Sequence, residues 1–195
     1  MRKLLLLLVC VVALAPYAKA QDEDGKVQVG GFADYFRSGV TGTNMFGLGA
    51  RLGVNLWTQT ALEGDGAFDF NRGFTNAFTV NGGSTSFITS GVHNFHAFVG
   101  PRYTLFNRGP IHPFVDLKIG FINYSFNNLI SGATSVSKPL QGILNDNTNA
   151  ALLAGGGLEG FVGPVGLRLD VADEMYFNHG AQQGLRVTFG PYIRF

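Results

Sequence analysis

Cysteine is nearly missing from this chain. Its 195 residues hold one, Cys10, inside the opening apolar run. The rest of the chain therefore has no disulfide framework and no thiol chemistry. Charge is scarce as well, at 14% of residues, against about 25% in an ordinary soluble domain. What charge there is nearly cancels, with 14 Lys and Arg facing 13 Asp and Glu. Nothing is basic enough to gather phosphates, so no nucleic acid partner is expected. Beyond the first twenty residues no apolar run is long enough for a transmembrane helix. The i, i+3, i+4 spacing of amphipathic helices is absent too. Glycine and phenylalanine are present instead, 28 and 18 of them. Aromatic and β-branched residues are too plentiful for disorder. The length suits one domain.

The first twenty residues read as an export signal. Arg2 and Lys3 precede the twelve apolar residues Leu4 to Ala15, and Ala18-Lys19-Ala20 is a small-x-small cleavage site. Twelve apolar residues are too few to span a bilayer. Val9 before Cys10 is too large for a lipoprotein site. Cleavage would remove three of the 14 basic residues and leave 11 against 13 acidic ones. The expected layout is a signal peptide over 1–20, a short periplasmic tail over 21–26 and one barrel domain over 27–195.

From there the chain alternates with period two. In Phe46-Gly-Leu-Gly-Ala-Arg-Leu-Gly-Val-Asn-Leu56 the even positions are all apolar, and the odd ones are Gly, Arg or Asn. A soluble sandwich would carry bulky polar residues on its outer face. A face of glycine and a few charges instead suits the inside of a narrow closed barrel. Eight strands are expected, near 27–36, 46–57, 60–70, 94–105, 113–124, 150–161, 165–176 and 185–195. Their 10–12 residues match a tilted membrane-crossing strand. Short links at Thr58-Gln59, Asn107-Arg-Gly-Pro110 and Gly163-Pro164 alternate with longer ones over 37–45, 71–93, 125–149 and 177–184. That alternation of short periplasmic turns and long external loops marks an all-β, closed, eight-stranded, antiparallel up-and-down transmembrane barrel.

Phe46, Phe68, Phe70, Phe95 and Phe121 are expected at the outer rim, and Tyr103, Phe114 and Phe195 at the periplasmic rim, as aromatic girdles.

The sequence resembles the small eight-stranded OmpA-like outer-membrane β-barrels. The resemblance rests on Ala61–Phe70, Val99-Gly-Pro-Arg-Tyr103, Pro113-Phe-Val115, Leu153-Ala-Gly-Gly-Gly-Leu-Glu159 and Tyr192-Ile-Arg-Phe195. It implies a Gram-negative outer-membrane location among lipid and lipopolysaccharide, as a monomer. It also implies that Ile193 and Phe195 act as the signal read by the barrel-assembly machinery. Larger OmpA-like proteins carry a peptidoglycan-binding domain after the barrel. This sequence stops at the last strand, so cell-wall anchoring is not carried over.

Parity sends fourteen charged side chains inward. They are Asp34, Arg51, Glu63, Asp65, Asp69, Arg102, Asp116, Lys118, Glu159, Arg168, Asp170, Glu174, Arg186 and Arg194. Buried charges need partners. A turn at Gly163-Pro164 that sets Val162 opposite Val165 also sets Glu159 opposite Arg168. A turn centred on Gly109 sets Arg102 opposite Asp116. Arg51 and Asp65 are expected diagonally across the second hairpin. Such pairs would fill and stiffen the lumen, or partner exchange among them would gate a narrow path for ions or small solutes.

Other motifs lead nowhere chemical. Gly155-Gly-Gly157-Leu-Glu-Gly160 matches G-x-G-x-x-G, but a second strand follows it rather than a helix, so no nucleotide cofactor is expected. A lipid-modifying enzyme would need a serine, a histidine and an acid together. The available groups are His93, His96 and His179 with Ser90, Ser125 and Glu174. No His-x-Ser pair places base and nucleophile on one face, His93 and Ser90 read as loop residues, and His96 points inward. No catalytic residue is assigned. His93-x-x-His96 has the wrong spacing for two metal ligands on one strand face, so no metal is expected. Asn81-Gly-Gly-Ser84 looks like a hairpin tip, and the 125–149 segment includes Leu129, Ile130, Leu140, Ile143 and Leu144 with only Lys138 and Asp146 charged. Loops of this kind shield a barrel or bind a partner.

Overall fold

The computed structural model describes residues 26–39, 42–80, 84–106, 108–127, 148–177 and 180–195, with the side chains of 71–80, 84–92 and 126–127 outside that description. The export signal with Ala18 and Ala20, residues 21–25, the Asn81-Gly-Gly83 tip, most of the 125–149 segment and His179 lie outside the described residues.

Eight strands run in chain order: β1 Val27–Ser38, β2 Asn44–Trp57, β3 Thr60–Val80, β4 Ser84–Thr104, β5 Ile111–Asn127, β6 Thr148–Val162, β7 Val165–Phe177 and β8 Ala181–Arg194. Each pairs antiparallel with its neighbour, and β8 closes on β1 into one barrel. Closure leaves no edge strand within the wall. The short links gather at one end. Val162 pairs with Val165 across Gly163-Pro164, where Gly163 takes a φ of 66°. A glycine-first turn of that kind matches the right-handed twist of paired strands.

The far end differs from expectation. The described residues of the 71–93 segment belong to strands rather than to a loop. β3 and β4 continue pairing from Arg72↔Val92 to Val80↔Ser84, past a register shift between Asp69 and Arg72. The last β3 residue paired with β2 is Asp69, opposite Gly47, and the β5 pairing of β4 ends at Gly91. The two strands therefore project together above the barrel. Phe74-Thr-Asn-Ala-Phe-Thr-Val80 and its mate are rich in β-branched and aromatic residues, which favour extended pairing even without a core beneath.

Burial alternates residue by residue, most plainly along β7. The interior holds the charges, and the exterior holds Leu48, Leu52, Leu117, Ile119, Leu167 and Phe189, all exposed. Among the described strand side chains, the exterior charges are Arg37 and Asp173, both toward the far end. An apolar surface that encircles the molecule exceeds anything a soluble monomer exposes and fits a bilayer.

A depth test follows. Val165 and Val171 share an exterior face of β7 and are exposed to 47% and 48%. Val171 lies at mid-strand and Val165 at the turn. Val171→Arg should lower stability in lipid vesicles by about 2–4 kcal/mol and Val165→Arg by about 0–1 kcal/mol. Equal losses in denaturant titrations would overturn a membrane-spanning β7.

The expected girdle needs one correction. Phe46, Phe68, Phe70, Phe95, Phe121 and Tyr103 are exposed outside the barrel, but Phe114 is 2% exposed and lies in the lumen. It shares the parity of Asp116 and Lys118, so it had to face inward with them.

Candidate functional site: an ion-paired lumen with a periplasmic vestibule

The lumen is a stack of ion pairs. Near the short-turn end, Arg102 bonds Glu159 and also contacts Glu63 at 2.9 Å. Glu63 accepts from Arg168 at 2.6 Å and lies 3.2 Å from Lys118. Lys118 also reaches Asp65 at 2.7 Å and Asp116 at 3.0 Å. Arg168 closes on Asp170 at 2.7 Å and lies over the Phe114 ring, 3.9 Å from its centroid. Arg51 crosses to Asp170 at 2.9 Å. Arg186 joins Asp34 at 2.7 Å to Asp65 at 3.2 Å. Nearly all these groups are buried, so the charges meet one another away from water.

Expected register and actual contact part company here. Glu159↔Arg168 and Arg102↔Asp116 are backbone partners. Their side chains nevertheless bond elsewhere: Glu159 to Arg102, and Asp116 to Lys118. Arg51 and Asp65 are directly opposite rather than diagonal, yet Arg51 bonds Asp170. Long side chains in a narrow barrel reach across the lumen more easily than along the wall. Two expected inward charges, Arg51 and Arg194, are only half-buried.

Toward the far end the lumen turns aromatic. His96 is fully buried, with Nδ1 2.8 Å from Glu174 and Nε2 3.0 Å from Asp69. Each ring nitrogen of His96 thus faces a carboxylate oxygen. Phe36 meets the ring edge-on at 5.0 Å. Phe36, Met45, Phe98, Ile122, Tyr124, Leu153 and Tyr176 pack there into a buried cluster. Sequence reading missed this plug, although the parity of Phe36, Tyr124 and Tyr176 carried the signal. Within the charged layer, a void of about 10 Å³ between Arg51, Asp65, Lys118 and Arg186 remains, space for about one water.

No described arrangement is a catalytic triad. His93 lies on β4 rather than in a loop, and its ring packs on Phe68 with centroids 5.4 Å apart. Ser90 is on β4 too, and Ser125 donates to Asn123 on its own strand. Among the described residues no cluster of three or more His, Cys, Asp or Glu suits a metal ion. At the chain's end, Ile193 is exposed outside the barrel, and the Phe195 amide donates to the Val27 carbonyl at 2.9 Å.

The short-turn end opens into a vestibule of about 600 Å³. Arg102 and Glu159 form its floor, and Lys26, Trp57, His112 and Arg194 stand around its mouth.

Comparison with protein families finds no match, and comparison with curated proteins finds none either. Solved structures do match. Neisserial surface protein A aligns over 89% of this chain and 100% of its own, at 13% identity and a TM-score of 0.58. OprG, an outer membrane protein of Pseudomonas aeruginosa, aligns over 89% and 97% at 10% identity and a TM-score of 0.54. Ail, the attachment invasion locus protein of Yersinia pestis, aligns over 88% and 98% at 15% identity and 0.51, in complex with a heparin analogue. At such identities the likeness is one of architecture. The chain has the fold of the small OmpA-like outer-membrane β-barrels.

Proposed function

We propose that this chain is an integral outer-membrane protein with a structural, surface-exposed role. Its barrel acts as a rigid scaffold rather than a conduit. The observation that carries the reading is the filled lumen: a layer of cross-linked charges capped by an aromatic plug. Eight strands enclose only enough room for side chains to fill. The apolar exterior and the fold shared with outer-membrane proteins support the location, and lipid and lipopolysaccharide are then its surroundings. Assembly through Ile193 and Phe195, and a monomeric state, belong to the same reading. So does a non-enzymatic role, supported by His96, whose two nitrogens are both engaged by carboxylates and leave no free base.

The test is single-channel recording from the refolded chain in a planar bilayer. The wild type and the Glu159→Gln and Arg168→Gln variants should all be silent once folding is confirmed. Discrete steps that change with those substitutions would overturn the scaffold reading and favour a gated pore for ions or small solutes.

A second reading has its own observation. Seven β3–β4 pairs, from Phe74↔Ser90 to Val80↔Ser84, lie beyond the last pairing of either strand with β2 or β5. Rigid scaffolds present binding segments in this manner. A surface-binding role predicts that deleting 73–91 leaves the barrel folded and removes attachment to its partner.

A further inference from the structure

We propose that the vestibule at the short-turn end is a binding site for an acidic oligosaccharide presented from the periplasm. The inference rests on the outer-membrane reading for the compartment it faces, since short turns lie on the periplasmic side of such barrels.

Three features of the vestibule point to this ligand class. The first is its floor. Arg102 and Glu159, both buried, line its inner side, with Arg102 ion-paired to Glu159 and to Glu63. The ion-paired side chains of the lumen lie beyond this point. The vestibule's volume of about 600 Å³ lies in the range of small-molecule sites.

The second feature is the chemistry of the walls. Gln28, Asn55 and Gln59 present amides, and Thr58, Thr60 and Thr104 present hydroxyls. Amides and hydroxyls both donate and accept, as a polyhydroxylated ligand requires. Gln28 is already oriented, donating to Asn55 at 3.2 Å and accepting from Arg102 at 3.3 Å. Trp57, the chain's single tryptophan, is 71% exposed at the mouth. A register shift between Asn55 and Trp57 places it there. Its flat apolar face suits the C–H face of a sugar ring.

The third feature is positive charge at the mouth. Lys26 and Arg194 line the cavity, and neither forms an ion pair among the described residues. Arg194 is pre-positioned instead by stacking on Phe161, its guanidinium 3.2 Å from the ring centroid. Phe161 is in turn braced by His112 and Tyr192. A fixed guanidinium of this kind recognises a carboxylate or phosphate through paired hydrogen bonds.

Trp57 is a built-in reporter for the test. The full chain is refolded in detergent, and folding is checked by the mobility difference between unheated and boiled protein. Tryptophan emission is then followed against three probes: a muramyl disaccharide, a deacylated lipopolysaccharide core oligosaccharide, and neutral N,N′-diacetylchitobiose. Saturable change is expected with one of the acidic probes, and which one identifies cell wall or periplasmic lipopolysaccharide as the source. The neutral disaccharide should bind at least about tenfold more weakly, and Arg194→Gln should weaken the acidic probe by about tenfold, the scale of one charge-assisted hydrogen bond. Three results would overturn the proposal. One is no saturable response to either acidic probe. Another is equal affinity for the neutral disaccharide. The last is a probe-free emission shift in a variant with Asp22→Asn, Glu23→Gln and Asp24→Asn, which would mean the chain's own acidic segment occupies the pocket. Binding is read in detergent, so failure of the barrel to insert into lipid would be seen separately.

Discussion

A Glu63→Leu barrel should unfold at a far lower denaturant concentration than the wild type, having lost about 5 kcal/mol of stability. Glu63 is 1% exposed and lies within 3.2 Å of three cations, Arg102, Arg168 and Lys118. Removing one partner of a buried pair costs about 3–5 kcal/mol, because the charge left behind stays desolvated. Here three charges lose a common partner. Arg168 keeps Asp170, and Lys118 keeps Asp65 and Asp116, which holds the loss near the top of that range rather than at a multiple of it. Glu63→Gln keeps the shape and one acceptor and should lose less. Adding Lys118→Met to Glu63→Leu should deepen the loss, since it also takes the ammonium from Asp65 and Asp116. The measurement is denaturant unfolding in lipid vesicles. A Glu63→Leu midpoint equal to that of the wild type would mean that water enters the lumen freely and that the network carries no stability.

The second large effect is steric. Gly120 faces the lumen from β5. A Cβ added there would overlap the Ala97 carbonyl oxygen and lie 2.8 Å from the Phe98 Cα. Both are backbone atoms of the paired strand β4, so no rotamer change relieves the contact. Gly120→Val should therefore abolish the compact, fast-migrating form on unheated gels. Gly31 is the control, because its nearest neighbour to an added Cβ is the Gly49 carbonyl oxygen at 3.8 Å. Gly31→Ala should fold normally. A fast-migrating Gly120→Val band would show that the wall can widen at β4–β5. The same reasoning explains the glycine-rich stretch of β6: a Cβ on Gly157 would overlap the Leu169 carbonyl oxygen and lie 2.7 Å from the Phe114 ring. Those glycines permit tight wall curvature around Phe114.

Period two was the legible part. Val165-Gly-Leu-Arg-Leu-Asp-Val171 assigns each residue to a face from its own neighbours alone, and the Gly163-Pro164 turn carries that assignment into β6. The backbone register of Glu159 with Arg168 follows without any knowledge of the closed shape. Less legible were the limits of the strands. Residues 71–93 lack the lumen pattern of glycine and charge, so they read as a loop. Strand pairing there needs no lumen, and the hairpin continues on the propensity of its Phe, Thr, Ile and Val residues. Phe114 was misplaced although its parity with Asp116 was in plain view. The aromatic plug around His96 went unseen, because the pattern marks a face as inward without saying what meets across it.

By itself the sequence determined the strand count, the alternation of faces, the short-turn end and the identity of the charges that line the interior. Each of these depends on residues close together along the chain. Only the closed barrel decided which charges bond. Glu63 and Arg168 are 105 residues apart and meet at 2.6 Å. Arg51 ignores Asp65 opposite it and reaches Asp170. The physical reason is the geometry of closure. Strand tilt and wall curvature bring distant strands within the length of one arginine, and the lowest-energy set of buried pairs is chosen among all side chains in that narrow space at once. The vestibule arises in the same way, from Lys26 and Arg194 at opposite ends of the domain brought to one mouth with Trp57.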